Sequence, residues 1–492
     1  MTPAPATSAG RAARALGLTL AGCLLPLAAL ASIPQVTFTP FHADGIYRLG
    51  ERVGWTVTVP PGKPDPRGRF SYTIKRNDLD VVKTGSFSLR RGKATFGTKF
   101  DAPAMLYVVV DYEPSPDALP LKDYRTLNQG LKALLIKTDP ALRGLLARYP
   151  HYQPLAPQFP FGAFAEHRVR TLGAAVAPTL LRPSVPAPRN FAAFWAGKLA
   201  ALAKVPMRAK LTAIPTGQAG VRLFRVRITS LGSDVRGYLA VPAGGGRFPA
   251  LVIYQYAGVY ALHTAWATNR AAEGWLTLDV DSHDIAPGSA AGVPQNYPQI
   301  GDRSPDTSYF LAMYLRDTRA LQYIRHSPYW NGKTVVLTGL SMGGQQSLAT
   351  AGLNPGKVSA VIVDEPSGAD MNGLAHGRRP GYPFYSTTDR AVLRTAAYFD
   401  PVNFAAHITA PTLIAMGFID TTAPPAGIWT VLNQIPAPKE AVPLVDSDHM
   451  NITPEEQAPW SERSEELLAQ LAHGGTFVPN QALTRPATRR VR

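Results

Sequence analysis

The sequence predicts an α/β region preceded by a small antiparallel β-sandwich, and three stretches support this fold class. Residues 53–59 place apolar side chains at every second position, a pattern typical of strands with one buried face. Residues 334–338 form an apolar run that leads through a glycine-rich turn into the helix-like residues 345–351. Residues 411–419 form a second apolar run that ends at a turn. Strand signals that alternate with helix signals indicate a largely parallel sheet in the later part of the chain.

The composition is that of an ordinary folded protein with an excess of positive charge. The chain has 492 residues, of which 45% are apolar and 17% are charged, and this balance excludes a disordered or fibrous protein. The formal net charge is +16, but the positive residues are scattered and form no basic stripe interleaved with aromatic residues. We therefore predict no nucleic-acid partner and expect weak attraction to acidic polysaccharides or to an anionic cell surface.

Residues 1–31 have the pattern of a signal peptide. Arg11 and Arg14 precede the apolar residues 15–31, and small residues at the end of this run offer a cleavage site before Ser32. We therefore expect an exported protein, periplasmic or extracellular, whose mature form lacks this segment. No later stretch reaches about 18 uninterrupted apolar residues, so no transmembrane span is predicted.

Cys23 is the single cysteine of the sequence, and it raises an alternative for the N-terminal segment. Residues 20–23 have the lipobox form, which would place a lipid anchor on Cys23. The apolar run continues through residues 24–28, where an acylated protein would turn polar, so simple export is favoured. Cleavage after residue 31 would leave a mature protein without disulfides.

The sequence pattern divides the rest of the chain into two domains and a tail. Residues 32–182 are predicted to form the β-sandwich, with a partly helical insertion near residues 114–164 that either borders the active site or packs between the domains. The sandwich is interpreted as a folding partner or spacer, and carbohydrate binding is the alternative. Residues 183–475 are predicted to form the α/β domain, which begins with a proline-rich linker and an amphipathic helix at Phe191. Residues 476–492 are predicted to be a disordered basic tail.

The G-x-S-x-G pattern at residues 339–343 is typical of a nucleophile elbow, because it stands between a strand signal and a helix signal. A serine hydroxyl becomes a good nucleophile only when a base takes its proton, and this turn would present Ser341 to such a base. The Met342 N–H, at the start of the helix, would point at a developing oxyanion. A purely structural glycine turn is the alternative.

The acid and the base of such a site follow the serine in chain order, with the acid first. Asp420 ends the second apolar run, at the carboxyl edge where open α/β sheets carry their sites. His449 follows 29 residues later, between a strand signal and a helix signal, and is the predicted base. Asp364, which ends the strand after the elbow, is the alternative acid, whereas Asp446 and Asp448 are too close to His449 in sequence to reach it easily.

The loop after the apolar residues 249–254 is predicted to supply the second oxyanion donor. We assign this donor to the Ala257 N–H, with the neighbouring Tyr256 as the alternative. The candidate substrate pocket is formed by residues at or near predicted strand ends: Gln255, Tyr256, His283 and Pro424. For His283 the alternative is a surface loop position. The sequence has no H-E-x-x-H pattern and no cysteine cluster, so neither a metal nor another cofactor is expected.

Several short segments together resemble the acetyl xylan esterase and cephalosporin C deacetylase family. The segments that carry the likeness are the elbow, His449 and residues 190–195, 314–320, 398–404, 416–420 and 424–425. The likeness spans residues 183–472 and implies an α/β-hydrolase fold, with Ser341 as nucleophile, Asp420 as acid and His449 as base. Residues 42–51 resemble the opening of the immunoglobulin-like domain that precedes some bacterial esterases of this family.

The resemblance implies a secreted serine esterase that removes acetyl groups from carbohydrates such as xylan through an acyl-enzyme. Three departures from the family bear on substrate preference: residues 281–283 are Asp-Ser-His instead of Arg-Gly-Gln, residues 340–343 are Leu-Ser-Met-Gly instead of Gly-Ser-Gln-Gly, and residues 255–257 are Gln-Tyr-Ala instead of His-Gly-Tyr. The alternatives are an α/β-hydrolase peptidase or an esterase for aryl or other non-sugar esters. A non-catalytic glycan-binding protein is the minor alternative.

Overall fold

The computed structural model describes residues 34–63, 68–113, 168–385, 388–450 and 453–480. The predicted signal peptide with Cys23, the predicted insertion near residues 114–164 and residues 481–492 of the predicted tail lie outside this part of the chain.

Two small sheets form the N-terminal part of the described chain. Their strands are β1 Thr37–Pro40, β2 Ile46–Tyr47, β3 Arg52–Thr58, β4 Arg69–Arg76, β5 Asp80–Phe87, β6 Lys93–Lys99, β7 Ala104–Glu113 and β8 Arg168–Val176. One sheet has the order β1-β3-β6 and the other the order β2-β8-β7-β4-β5. The strand pairs are antiparallel except for β2 with β8, which is parallel.

The alternation of apolar residues explains how the two sheets pack together. In β4, Phe70, Tyr72 and Ile74 are buried on one face, whereas the residues between them are partly exposed. The ring of Tyr72 stacks on Phe96 of β6 at 4.6 Å, and Phe96 stacks on Trp55 of β3 at 5.5 Å. These contacts close one hydrophobic core between the sheets, and the predicted antiparallel β region is confirmed.

A mixed sheet of nine strands forms the centre of the second part. Its strands are β9 Ala209–Ile214, β10 Val221–Thr229, β11 Asp234–Pro242, β12 Phe248–Tyr254, β13 Leu276–Asp281, β14 Trp330–Leu340, β15 Ala360–Asp364, β16 Thr412–Gly417 and β17 Lys439–Leu444. Their order is β17-β16-β15-β14-β12-β13-β11-β10-β9. The pairs from β17 through β13 are parallel, and those from β13 through β9 are antiparallel. The carboxyl ends of β12 and β14 to β17 therefore meet at one edge of the sheet.

Helices cover both faces of this sheet. They are α1 Phe191–Ala203, α2 Thr264–Ala272, α3 Tyr309–His326, α4 Met342–Leu353, α5 Arg390–Ala396, α6 Pro401–Ala405, α7 Pro425–Gln434 and α8 Pro454–Ala472. Because side chains alternate along a strand, Val335 and Leu337 of β14 share a core with Leu348 of α4, whereas Val336 shares another core with Leu467 of α8. Among the described residues, no helix combines the length and the apolar character that a membrane span requires.

Phe418, in the loop after β16, packs against the N-terminal sheets. It belongs to a buried core that also contains Met105 of β7 and Ala175 of β8. The Gly173 backbone of β8 lies directly on Phe418, since a Cβ at this position would be 2.8 Å from the Phe418 carbonyl oxygen. The β-sandwich is therefore in contact with the loop that carries Asp420.

Candidate active site

Ser341 lies at the turn between β14 and α4 in a strained backbone conformation. Its φ and ψ angles are 55° and −119°, in a region that residues other than glycine rarely adopt. The Ser341 N–H donates to the Asp364 carbonyl at 2.9 Å, and the Ser341 carbonyl accepts from the Gln345 N–H at 3.0 Å. Two neighbouring elements therefore hold the strained residue in place. This is the sharp strand-to-helix turn that the G-x-S-x-G pattern indicates.

Gly343 is required by a close backbone contact beside the serine. A Cβ at this position would overlap the Tyr254 carbonyl oxygen and lie 3.0 Å from the Tyr254 carbonyl carbon. The same contact brings the end of β12 against the start of α4. The loop that follows β12 is consequently a neighbour of Ser341.

Ser341, His449 and Asp420 form one continuous hydrogen-bonded chain. His449 Nε2 lies 2.9 Å from Ser341 Oγ, and His449 Nδ1 lies 2.7 Å from Asp420 Oδ2. Asp420 Oδ1 accepts hydrogen bonds from the Thr422 and Ala423 N–H groups at 2.7 and 2.8 Å, which fix the carboxylate. The three residues follow β14, β17 and β16, so the carboxyl edge of the sheet brings them together.

The electrostatics of this chain favour proton transfer from Ser341 to His449. Burial disfavours a positive imidazole, but the hydrogen bond and the negative charge of Asp420 outweigh burial and raise the pKa of His449 above its usual value. The Asp420 side chain is 0% exposed and that of His449 is 9% exposed. The arrangement can accept the Ser341 proton and stabilise the imidazolium that results.

None of the alternative acids is the hydrogen-bond partner of His449 Nδ1 in the described part of the chain. Asp446 is half-exposed and lies 3.5 Å from Arg170 of β8. Asp448 accepts a hydrogen bond from the Met450 N–H at 2.7 Å. Asp364 ends β15, where burial raises the pKa of its carboxyl to about 7. The acid hydrogen-bonded to His449 Nδ1 is Asp420.

Two backbone N–H groups beside the serine are available to an oxyanion. Within the described ranges, neither the Met342 N–H nor the Ala257 N–H has a hydrogen-bond acceptor. Met342 is the first residue of α4, where the helix dipole is positive. Ala257 lies in the loop that Gly343 brings beside the elbow. These are the two positions predicted for the oxyanion donors, and their free N–H groups suit that role. The N–H of Tyr256, the alternative to Ala257, also has no acceptor among the described residues.

A pair of tyrosines connects the loop that carries Ala257 with the Met342 side chain at the start of α4. Tyr297 Oη accepts a hydrogen bond from the Gly258 N–H at 3.2 Å and lies 2.7 Å from Tyr382 Oη. The two hydroxyls also lie 3.2 and 3.4 Å from Met342 Sδ. His283 Nε2 lies 3.1 Å from the Gly258 carbonyl oxygen. The network joins the residue after Ala257 to Met342, although sequence analysis singled out neither tyrosine.

Gln255 and His283 do not line an open pocket, and this corrects their predicted role. Gln255 is buried, and its side-chain amide donates to the Tyr260 carbonyl at 3.2 Å and accepts from the Ser282 N–H at 2.8 Å. His283 is also buried rather than on a surface loop, and its Nδ1 lies 2.7 Å from Tyr309 Oη. Burial lowers the pKa of His283 to about 4, so its imidazole is neutral near pH 7. Both side chains support the loop after β12 instead of facing a substrate.

The other two predicted pocket residues remain accessible. Tyr256 is 37% exposed, and its ring stacks on Tyr260 at 4.7 Å and lies 5.8 Å from Trp266. Pro424 is partly exposed in the turn after Asp420. Tyr256 thus begins an aromatic surface directly beside Ala257.

Glu365 is a further carboxyl group next to His449 that sequence analysis did not consider. Together with Asp420 and His449 it forms the cluster of potential metal ligands found in the described part of the chain. Both imidazole nitrogens of His449 already have partners, Ser341 and Asp420, so the cluster is arranged for proton transfer and a metal would have to displace one of them.

A serine on a sharp strand-to-helix turn, followed in chain order by a buried aspartate and a histidine, defines a serine hydrolase of the α/β-hydrolase class. Solved structures agree with this class. The chain is similar to the acetyl xylan esterase from Paenibacillus sp. R4, with a TM-score of 0.52 and 22% identity over 60% of this chain and 98% of that chain. Acetyl xylan esterase 1 from Thermoanaerobacterium sp. JW/SL YS485 gives a TM-score of 0.51 and 18% identity over 60% and 97%. The predicted α/β-hydrolase fold is confirmed.

The chain belongs to the acetyl xylan esterase family. The family model described as acetyl xylan esterase (AXE1) matches residues 179–462. Acetyl esterase Axe7A of Xylanibacter ruminicola is 30% identical in an alignment over 429 residues that covers 83% of this chain and 85% of that protein. The family resemblance drawn from the sequence is confirmed, and the protein is a carboxylic ester hydrolase.

Proposed function

We propose that this protein removes acetyl groups from acetylated carbohydrates such as xylan, with Ser341 as nucleophile, His449 as base and Asp420 as acid. The observation that carries the proposal is the hydrogen-bonded chain from Ser341 Oγ through His449 to Asp420, in a member of the acetyl xylan esterase family. We also propose export, which is supported by the signal-peptide pattern of residues 1–31.

The proposed reaction has two acyl-transfer steps. His449 Nε2 takes the proton of Ser341 Oγ while the oxygen attacks the ester carbonyl, and the Met342 and Ala257 N–H groups stabilise the oxyanion. The imidazolium then gives its proton to the leaving sugar oxygen, and the acetyl group stays on Ser341. A water molecule, deprotonated by His449, attacks this acyl-enzyme and releases acetate. Asp420 holds the imidazole in the tautomer that both steps need.

An aromatic surface supports a carbohydrate as the alcohol part of the ester. Tyr256, Tyr260 and Trp266 lie in contact beside Ala257, and Tyr256 is accessible. Such side chains combine an apolar ring with a polar group, and they suit a sugar, which has apolar ring faces and polar edges. The positive net charge would also favour glycans that carry acidic substituents.

Acetylated xylo-oligosaccharides should release acetate when incubated with this protein. The measurement compares this release with the hydrolysis of p-nitrophenyl acetate, butyrate and octanoate and of an aminoacyl p-nitroanilide, with Ser341→Ala as the control. We expect turnover of acetate esters that falls as the acyl chain lengthens, and no turnover of the anilide. Turnover of the anilide alone would favour a peptidase, and equal rates for the parent and Ser341→Ala would contradict the proposed nucleophile.

Tyr297→Phe should lower kcat for p-nitrophenyl acetate by about tenfold. The change leaves the Gly258 N–H without its acceptor and removes one of the two hydroxyls that contact Met342, so both the loop after β12 and the start of α4 lose support. Steady-state kinetics and thermal unfolding of the variant measure the effect. Tyr329→Phe is the matched control, because that tyrosine lies just before β14, at the strand end opposite the elbow. Equal values of kcat for the two variants would contradict the role of the network.

A further inference from the structure

Glu365 places a second buried carboxyl group beside His449. The residue directly follows β15, has a φ of 40° and is 1% exposed. Its Oε2 lies 3.6 Å from His449 Nδ1, the same nitrogen that binds Asp420 Oδ2 at 2.7 Å. The Glu365 N–H donates to the Ala415 carbonyl at 3.1 Å, which fixes the backbone at the end of β15. Two carboxyl groups from neighbouring strand ends thus converge on one imidazole nitrogen.

The surroundings of Glu365 disfavour a negative charge on its carboxyl. Burial is the main cause, and the charges of Asp420, Asp364 and Asp448 act in the same direction, whereas the Gly417 N–H acts weakly in the opposite direction. Together they raise the pKa of Glu365 to about 10, so the group is protonated at neutral pH. In the part of the chain that the structure describes, neither carboxyl oxygen of Glu365 has a hydrogen-bond partner. His449 is the basic group that faces it.

Asp420 is bound in a different way, and this difference separates the two acids. Asp420 Oδ1 accepts two backbone N–H groups, from Thr422 and Ala423, which favour a negative carboxylate. The Glu365 carboxyl instead lies over Gly417, where a Cβ would be 2.7 Å from Oε1. The glycine at the end of β16 therefore leaves the space that this carboxyl occupies.

We propose that Glu365 is a second acid for His449 and can orient the imidazole when the Asp420 carboxylate is absent. When Asp420 is present, Asp420 carries the negative charge and the Glu365 carboxyl stays protonated. The inference rests on the proposed function and makes Glu365 a positioning residue. Because Glu365 is protonated in the parent enzyme, only one negative charge, that of Asp420, faces His449 Nδ1. The Glu365 side chain also excludes water from that side of the imidazole. Without Asp420 its main repulsive neighbour is gone, so Glu365 ionises more readily and needs only a small shift to bind Nδ1.

A double-mutant cycle tests this role. The proteins are the parent, Glu365→Gln, Asp420→Ala and the double variant, with kcat/KM for p-nitrophenyl acetate measured across pH. We expect Asp420→Ala to lose about 10²- to 10⁴-fold. Glu365→Gln should remove at least about a further tenfold in that background, a larger loss than it causes when Asp420 is present. Asp420→Asn, which keeps the shape of the turn, provides a second background if the alanine variant does not fold.

The pH dependence separates this role from a merely structural one. The carboxylate of Glu365 forms as pH rises, so its contribution is present at high pH and is lost as pH falls. The ratio of kcat/KM between Asp420→Ala and the double variant should therefore grow with pH. Asp446→Asn in the Asp420→Ala background is the control, because Asp446 is half-exposed and lies beside Arg170 instead of His449, and it should not reproduce this ratio.

Two results would overturn the proposal. One is a ratio close to one at every pH with both variants folded, and the other is an equal loss from Glu365→Gln in the presence and absence of Asp420.

The rate at which a fluorophosphonate labels Ser341 provides the same cycle without an ester substrate. In that reaction Ser341 Oγ bonds to phosphorus, fluoride leaves and the proton goes to His449. Normal labelling without turnover of acetyl esters would contradict the proposed substrate and leave the role of Glu365 measurable.

Discussion

Ser341→Ala is expected to lower kcat/KM for acetyl esters by about four to six orders of magnitude. Without Oγ no acyl-enzyme can form, and His449 loses the group from which it takes a proton at 2.9 Å. The residual rate comes only from binding and from the Met342 and Ala257 N–H groups. The measurement is the initial rate on p-nitrophenyl acetate at high enzyme concentration, with thermal unfolding to show that the variant is folded.

Ser289→Ala is the control for this experiment. Ser289 Oγ makes its hydrogen bonds locally, with Ala291, in an exposed turn. Its replacement should leave the rate close to that of the parent. If Ser341→Ala retained activity within about tenfold of Ser289→Ala, the nucleophile would have to lie elsewhere in the chain.

Gly343→Ala is expected to lower the free energy of unfolding by about 3 kcal/mol or more and to remove most of the activity. The added methyl group would overlap the Tyr254 carbonyl oxygen, which is a backbone atom at the end of β12 and cannot turn away. Relief requires β12 to move from α4, which would also separate Ala257 from Met342. Chemical denaturation and kcat/KM for p-nitrophenyl acetate measure the two effects.

Gly197→Ala is the matched control for the glycine variant. Gly197 lies inside α1, and a Cβ there would meet no atom within 4 Å. Because alanine favours a helix more than glycine does, this change should raise the free energy of unfolding by about 0.5–1 kcal/mol. Similar destabilisation by both variants would show that the contact with Tyr254 is not the cause.

Local sequence signals were sufficient to select the three residues of the hydrogen-bonded chain. The elbow is a local turn, so the glycines around Ser341 and the strand and helix signals on either side identify it. Asp420 and His449 were selected because they follow strand signals in the right order, and parallel strands bring their carboxyl ends to one edge. The same reasoning misplaced Gln255 and His283, because the end of a strand does not indicate whether a side chain faces solvent or the interior.

Long-range packing explains the residues that sequence analysis missed. Tyr297 begins a short 3₁₀ helix and Tyr382 lies in a turn 85 positions later, and their contact depends on how these two segments pack on Met342. Glu365 directly follows Asp364, the alternative acid considered from the sequence. Its φ of 40° changes the direction of the chain after β15, and the sequence does not show this turn. Neither a turn of this kind nor a hydroxyl pair has a periodic pattern that a sequence can reveal.

The contact at Phe418 bears on how this enzyme can be shortened or fused. The boundary near residue 182 separates two patterns of secondary structure, but it does not separate two interiors, because Met105 and Ala175 share a core with Phe418. Cutting there would uncover apolar surface two residues before Asp420. The sandwich is therefore not an independent domain that can be exchanged. Residues of both halves fix the position of Asp420, so a design that replaces one half must keep the surface that packs around Phe418.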